Sequence, residues 1–377
     1  MGRIAALAAG AAIFAFTWAV VVFTIVLPRG QWGPGRVSTV VTRTVRLFFA
    51  TFARMAKSYE RKDAILAPIG PIAVLAQLVV WLLLFTVAFV LMLVTYTHDL
   101  RTAISQSTAA MFTLGLARSG HLTNDTITTL AGATGLIVVA LQIAYLPSLY
   151  AAFNRREVLI TMLTSRAGEP AWGPEILIRH QLVGITDALP DFYSWWETWA
   201  AEVSESHVSY PVLLLFRSPD PWSSWVLSLL SVMDAAAMQL ALQPESAPSQ
   251  ARMCIRMGYV ALRRISSSLG WQFDDDPLPD GPIELTETEF AAAVAFLDET
   301  GFLIERDVAA AWPHFRGWRV NYEDLAYRWA NRVVAPVAPW SGTRPGIATG
   351  PVSPRRPSHR SPDDPFVFDR PDFPSPE

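Results

Sequence analysis

Groups that ionise, coordinate metals or attack substrates are few and scattered in this chain. Its one cysteine, Cys254, excludes an intramolecular disulfide and a thiolate zinc site. The six histidines (His98, His121, His180, His207, His314 and His359) fall at no metal-ligand spacing, so Cys254 reads as a buried structural thiol rather than a nucleophile. Asp274-Asp275-Asp276 offers oxygen ligands but lacks the further spaced carboxylates of a calcium loop, and ahead of Pro277 it reads as a solvated turn. Glu323 and Asp324 open a helix start and read as acidic complements to its dipole. The sequence holds no phosphate-cradling glycine loop, no G-x-S-x-G, no H-E-x-x-H and no kinase signature. Enzymatic activity is not expected, and neither is a cofactor or a resident metal.

The remaining chemistry belongs to the backbone. Thr113-Leu114-Gly115-Leu116-Ala117-Arg118 sets a glycine among mostly uncharged residues, between apolar stretches. Three stretches, residues 4–27, 65–96 and 127–153, are free of charge over the roughly 20 residues a helix needs to cross hydrocarbon. A short helix-compatible run, residues 103–112, leads into the glycine segment. Unpaired backbone at membrane depth is tolerated only where it is buried in protein or lines a water-filled cavity, and a half-helix followed by an extended strand is the layout of a selectivity filter. In the third stretch, Gly132 and Gly135 permit close helix contact or a hinge, and Pro147 removes an intrahelical hydrogen bond. Together these read as packing positions or as parts of a gate. Gln142, mid-span, is expected to face a pore or a helix contact rather than lipid.

Span, short helix, F-T-L-G loop and second span resemble the two-transmembrane pore module of bacterial potassium-channel-like proteins, whose loop reads T-x-G-[YF]-G-D. The similarity continues through residues 144–158 and 165–168, at the exit of the inner helix, and covers about residues 70–170. Thr113 and Gly115 match the loop motif. Leu116, Ala117 and Arg118 stand where the family has an aromatic, a second glycine and an acid. The resemblance implies a homo-oligomer, a tetramer, passing a permeant monovalent ion between filter loops formed by residues 113–118. The departures at 116–118 imply altered selectivity or, alternatively, a non-conducting scaffold built on the channel fold.

Around this module the chain is expected to be an all-α membrane protein, with three transmembrane helices, a re-entrant pore loop and a helical cytoplasmic domain. Residues 1–28 form a retained anchor, because the apolar run is too long for a signal peptide and Leu27-Pro28-Arg29 is no cleavage site. Only Arg3 precedes this anchor, whereas residues 29–64 are rich in Lys and Arg, which places the N-terminus outside and that loop in the cytoplasm of a plasma (inner) membrane. On one continuous helix Arg36, Arg43, Arg46, Arg54, Lys57 and Arg61 fall within about 80° of arc. Val41, Val45, Phe52, Met55 and Tyr59 lie opposite, giving an amphipathic helix that sets its cations against lipid headgroups or packs on the protein itself. The pore module then occupies residues 65–154, with Asn124-Asp125-Thr126 matching a short glycosylation sequon on its outer side.

Residues 155–335 read as a cytoplasmic helical domain, with helices near 174–188, 191–206, 222–242, 249–269, 287–300, 304–312 and 321–334. Thr286 with Glu289 forms a capping box, Leu285 is placed to staple against Phe290, and Gly301 stops that helix. The 222–242 run is apolar enough to span, but Asp234 and its serines favour a buried core helix. Trp195, Trp196 and Trp199 are expected to pack. From Pro336 on, eleven prolines and few apolar residues mark a disordered tail, residues 336–377. Composition agrees with this organisation: of 377 residues, 51% are hydrophobic and 17% charged, and mean hydropathy is +0.28. A net charge of -3 carries no nucleic-acid signature.

Overall fold

A computed structural model describes residues 2–26, 36–112 and 121–344. The described residues are all-helical and contain no strand. They include α1 (Gly2–Val21, continued by a π turn to Val26), α2 (Arg36–Ala53), α3 (Tyr59–Leu66), α4 (Ile69–Thr97), α5 (Leu100–Met111) and α6 (Leu122–Ala167). Beyond these lie α7 (Gly173–Val183), α8 (Leu189–Ser209), α9 (Trp225–Leu242), α10 (Ser249–Ser268), α11 (Glu287–Glu299), α12 (Val308–Arg319) and α13 (Glu323–Arg332). Four helical stretches are long and apolar enough to cross a membrane: Gly2–Val26, Tyr59–Thr97, Leu122–Ala167 and Trp225–Leu242. The first three leave most of their apolar flanks exposed, while α9 is wholly buried inside the protein.

The chain folds into two compact units. One comprises residues 1–159, 201–225 and 260–273, and the other residues 160–200, 226–259 and 274–377. In the first unit α1 runs antiparallel along α4. A Cβ on Gly10 would stand 2.6 Å from the Ala88 carbonyl oxygen, so only glycine lets the two backbones approach this closely. Their seam is apolar: Phe14 meets Phe85 and Phe89 edge-on, and Val20, Val21 and Trp81 are buried beside Ala131 and Val138 of α6. The exposed flanks are equally apolar, with Leu75, Val79, Leu83 and Val87 on α4 and Leu136, Ile137 and Ile143 on α6. That inversion of the soluble pattern is what a bilayer solvent selects.

The second unit is built around α9. Gly173 of α7 packs against Asp234, Gly258 of α10 packs against Met233, and Tyr193 of α8 donates to Gln239 at 2.8 Å. Trp196 and Trp199 are buried with ring centroids 4.7 Å apart, whereas Trp195 stands about half exposed. α11 begins as the sequence reads it: Thr286 Oγ1 accepts from Glu289 N, Glu289 reaches back to Thr286 N, and Gly301 ends the helix at φ +75°. α12 departs from expectation. The 304–312 reading stopped at Pro313, but Asp307 caps the helix through Ala309 N and Ala310 N, and Pro313 is carried in its interior at the loss of one hydrogen bond. Residues 336–344, expected to open a disordered tail, are docked: Trp340 is buried against Trp172 and Phe315, and its carbonyl accepts from Arg319 and Tyr327. Residues 345–377 lie outside the described residues.

Candidate functional site

The short helix of the glycine segment is α5. Asp99 caps it, accepting from Thr102 N at 2.8 Å and Thr102 Oγ1 at 2.6 Å, and His98 in the left-handed region (φ 57°) turns the chain back after α4. α5 then retraces α4, and Ser107 Oγ donates to the Thr86 carbonyl at 3.3 Å. Its C-terminal end meets α6 at Gly135, where an added Cβ would stand 2.1 Å from the Met111 carbonyl oxygen. The same test at Gly132 gives 3.4 Å to the Ala110 oxygen, an ordinary contact. Gly132 and Gly135 are therefore packing positions for α5. At 1.5 Å per residue, Gly135 lies about 20 Å along the axis from Leu122, so α5 ends deep beside the apolar seam. Ala110 and Met111 belong to the same buried cluster as Trp81 and Phe85. Thr113, Leu114, Gly115, Leu116, Ala117 and Arg118, which follow directly, lie outside the described residues.

Gln142 is buried, as is Gln77 on α4. Leu78, Trp81, Val138 and Leu141 pack in one cluster between these helices, which sets the two glutamines at neighbouring levels. Asn124 is 2% exposed and donates to Gln106 at 3.4 Å, so the sequon side chain faces inward and offers no surface for a glycan.

The basic stripe is divided. α2 ends at Ala53 because Met55 N and Ala56 N close tight turns on Phe52 and Ala53, and Ser58 then caps α3 by accepting from Arg61 N. Arg43 is exposed on α2, Arg46 is turned partly inward, and Arg54 and Lys57 lie in the break. Arg61 is exposed on α3, and the Arg36 side chain is outside the described residues. The single 36–61 helix with one cationic face is thus replaced by two helices, because the caps that interrupt it do not register in a fixed 100° step.

At the opposite end of α6 from Leu122, a short segment, Tyr210 to Arg217, is tied to both long helices. Pro147 is accommodated without ending α6 and is flanked by packed residues: Tyr145 meets Tyr210 with ring centroids 5.6 Å apart, and Leu149 is buried with Leu213 and Phe216. Phe216 also fills the space above Gly70 at the start of α4. Arg217 pairs with Asp63 of α3 at 2.5 Å and donates to Tyr59 Oη at 3.0 Å. Arg156, near the end of α6, is buried. It pairs with Glu157 at 2.8 Å and donates to the Leu213 and Phe216 carbonyls at 3.1 and 2.8 Å. Arg156 Nη1 lies 3.1 Å from His207 Nε2, and His207 Nδ1 lies 2.9 Å from the Val203 carbonyl. A guanidinium only donates and a carbonyl only accepts, so His207 is neutral with its proton on Nδ1. Burial, reinforced by the Arg156 charge, holds its pKa well below the usual histidine value.

The second unit contains a buried ionic cluster that motif reading missed. Arg319 lies 2.5 Å from both Asp234 and Glu323, and Tyr322 donates to Asp234 at 2.9 Å. Glu323, read from sequence as a complement to the helix dipole, stands in the first turn of α13, is buried and also accepts from Glu284 N and Leu285 N. Burial raises the Asp234 carboxyl to about 6 against the pull of Arg319. The arrangement ties α9, α12 and α13 together. Asp276 N donates to Asp274 Oδ1 in an exposed turn, and among the described residues no group of three or more His, Cys, Asp or Glu is placed to hold a metal. Comparison with family models, curated proteins and solved structures finds no match to this chain.

Proposed function

We propose that this chain is the subunit of an oligomeric, potassium-channel-like membrane protein that conducts ions passively through a shared pore. The observation that carries this reading is the course of α5, which turns back from the end of α4 and ends about 20 Å along α6. In this reading α1, α4 and α6 cross the membrane, and α5 is the re-entrant pore helix. Residues 113–118 then form the filter strand, with backbone carbonyls facing an axis shared by four copies. The N-terminus faces outward and the helical domain lies in the cytoplasm, consistent with the basic loop between the first two spans. α9, being sheathed in protein, does not span. Arg118 stands at the outer mouth, where four guanidinium groups would repel entering cations. Leu116, Ala117 and Arg118 favour a second reading, a non-conducting scaffold in which the same fold holds subunits together.

Flux through liposomes carrying the purified protein, with potassium, sodium and chloride gradients in one series, separates the two. Conduction predicts flux above empty liposomes and a rise in cation flux for Arg118→Asp. No flux from a well-folded oligomer, in either the wild type or Arg118→Asp, overturns the channel and leaves the scaffold.

A further inference from the structure

α2 has one apolar face, as the sequence reads it, and the protein covers only part of that face. Its inner side packs on the spans: Val37 lies against the Val20, Val21 and Trp81 cluster, Val41 is buried, and Thr24 and Ser38 meet at 3.1 Å. Past Val41 that face is uncovered at Phe48 and Phe52, which, like Val40 and Leu47, are about half exposed or more, with exposed Thr39, Arg43, Thr44 and Thr51 between them. Phe48 and Phe52 form an edge-on ring pair at 5.0 Å, so the patch is one ordered surface. At its end the chemistry changes. Arg54, Lys57 and Arg61 are exposed in and just after the break before α3, and none makes an ion pair among the described residues. Of the acids nearby, Asp63 is engaged by Arg217, and Glu60 and Asp220 are exposed counter-charges.

We infer that α2 and the α2–α3 corner form a binding surface for anionic phospholipid of the surrounding leaflet. Acyl chains cover Val40, Leu47, Phe48 and Phe52, and phosphates meet Arg54, Lys57 and Arg61. Two features select lipid over a protein partner. The patch lies on a helix packed directly on two spans, beside the exposed apolar flank of α4, so it continues the hydrocarbon-facing surface. Three of its four exposed cations, Arg54, Lys57 and Arg61, gather at the corner, with Arg43 a turn from Val40 and Leu47, a distribution weighted to one end as an apolar-to-phosphate boundary requires rather than an even ring. The inference rests on α1 and α4 crossing the membrane, and it holds whether or not the pore conducts.

The test uses the full chain in nanodiscs. Phe48→Cys takes a nitroxide label, while Cys254 stays unlabelled because it is fully buried and its thiol is pushed far up. The label should collide with oxygen and be shielded from a water-soluble nickel chelate. Nickel access, or shielding from both reagents as under a protein, overturns the inference. In the second arm, protein extracted from mixed phosphatidylcholine and phosphatidylglycerol is weighed by native mass spectrometry. Each surface cation contributes about fivefold to anionic-lipid binding, so Arg54→Gln/Lys57→Gln/Arg61→Gln should lower phosphatidylglycerol retention at least about tenfold. Equal retention by wild type and variant overturns the headgroup assignment, whatever the flux assay reports.

Discussion

Gly132→Ala and Gly135→Ala add the same methyl group one turn apart on α6, yet the geometry requires opposite outcomes. At Gly135 the new Cβ would lie 2.1 Å from the Met111 oxygen, 3.0 Å from its carbonyl carbon and 3.2 Å from its Cα. A comfortable C···O approach is about 3.3 Å, so α5 must withdraw by about 1 Å. The obstacle is backbone, which no side-chain rotation relieves, and overpacking of this kind costs about 1–3 kcal/mol. At Gly132 the nearest atom is 3.4 Å away, nothing has to move, and replacing a helical glycine gains up to about 1 kcal/mol. Thermal unfolding of both variants in nanodiscs should therefore bracket the wild type, with Gly132→Ala at or above it and Gly135→Ala below. Amide exchange over residues 100–112 should rise only in Gly135→Ala. Shifts of the same sign with unchanged exchange would refute the seating of α5 on α6.

Arg156→Met leaves Glu157 unpaired in a buried site and removes donors from two carbonyls, so denaturant unfolding should show a loss of about 3–5 kcal/mol, part of it restored by adding Glu157→Leu. His207 gives a pH signature. The native state excludes the proton that the unfolded chain binds near pH 6.5, so acidification below that value costs stability at up to about 1.4 kcal/mol per pH unit. Asp234, raised to about 6, works in the opposite sense, because the native state takes up its proton first. The readout is therefore the difference between wild type and His207→Gln, which should shrink as pH falls from 7 to 5. A pH-independent difference would mean that His207 is not held neutral.

Elements set by local chemistry were legible from the residues. The charge-free stretches, the short helix before Thr113, the Thr286–Glu289 box and the Gly301 stop each depend on neighbours a few positions apart. The burial of α9 was legible too, from a carboxylate that hydrocarbon would not accept. Features set by distant partners were not. Arg156 and Glu323 look like surface charges because the partners that bury them come from residues 207–216 and from Glu284 and Leu285, and no short-range pattern records those pairings. The division of α2 from α3 was hidden because hydrophobic periodicity stays in phase across a break that a single serine cap produces. Trp340 sits in a proline-rich, low-hydropathy stretch, and composition averaged over that stretch outweighed one aromatic anchor.

The supports along α6 have a mechanical consequence. α5 bears on it at Gly135, and from Tyr145 to Arg156 it is gripped by the segment that also grips α3 and the start of α4. Pro147, the weakest point of its hydrogen-bond ladder, lies inside the second grip, where it cannot act as a free joint. α6 is therefore held along its length, by α5 at Gly135, by the cluster with α4 at Val138 and Leu141, and by the segment from Tyr210 to Arg217 from Tyr145 on. Load applied to its far end must tilt the helix whole and carry α3 and α4 along.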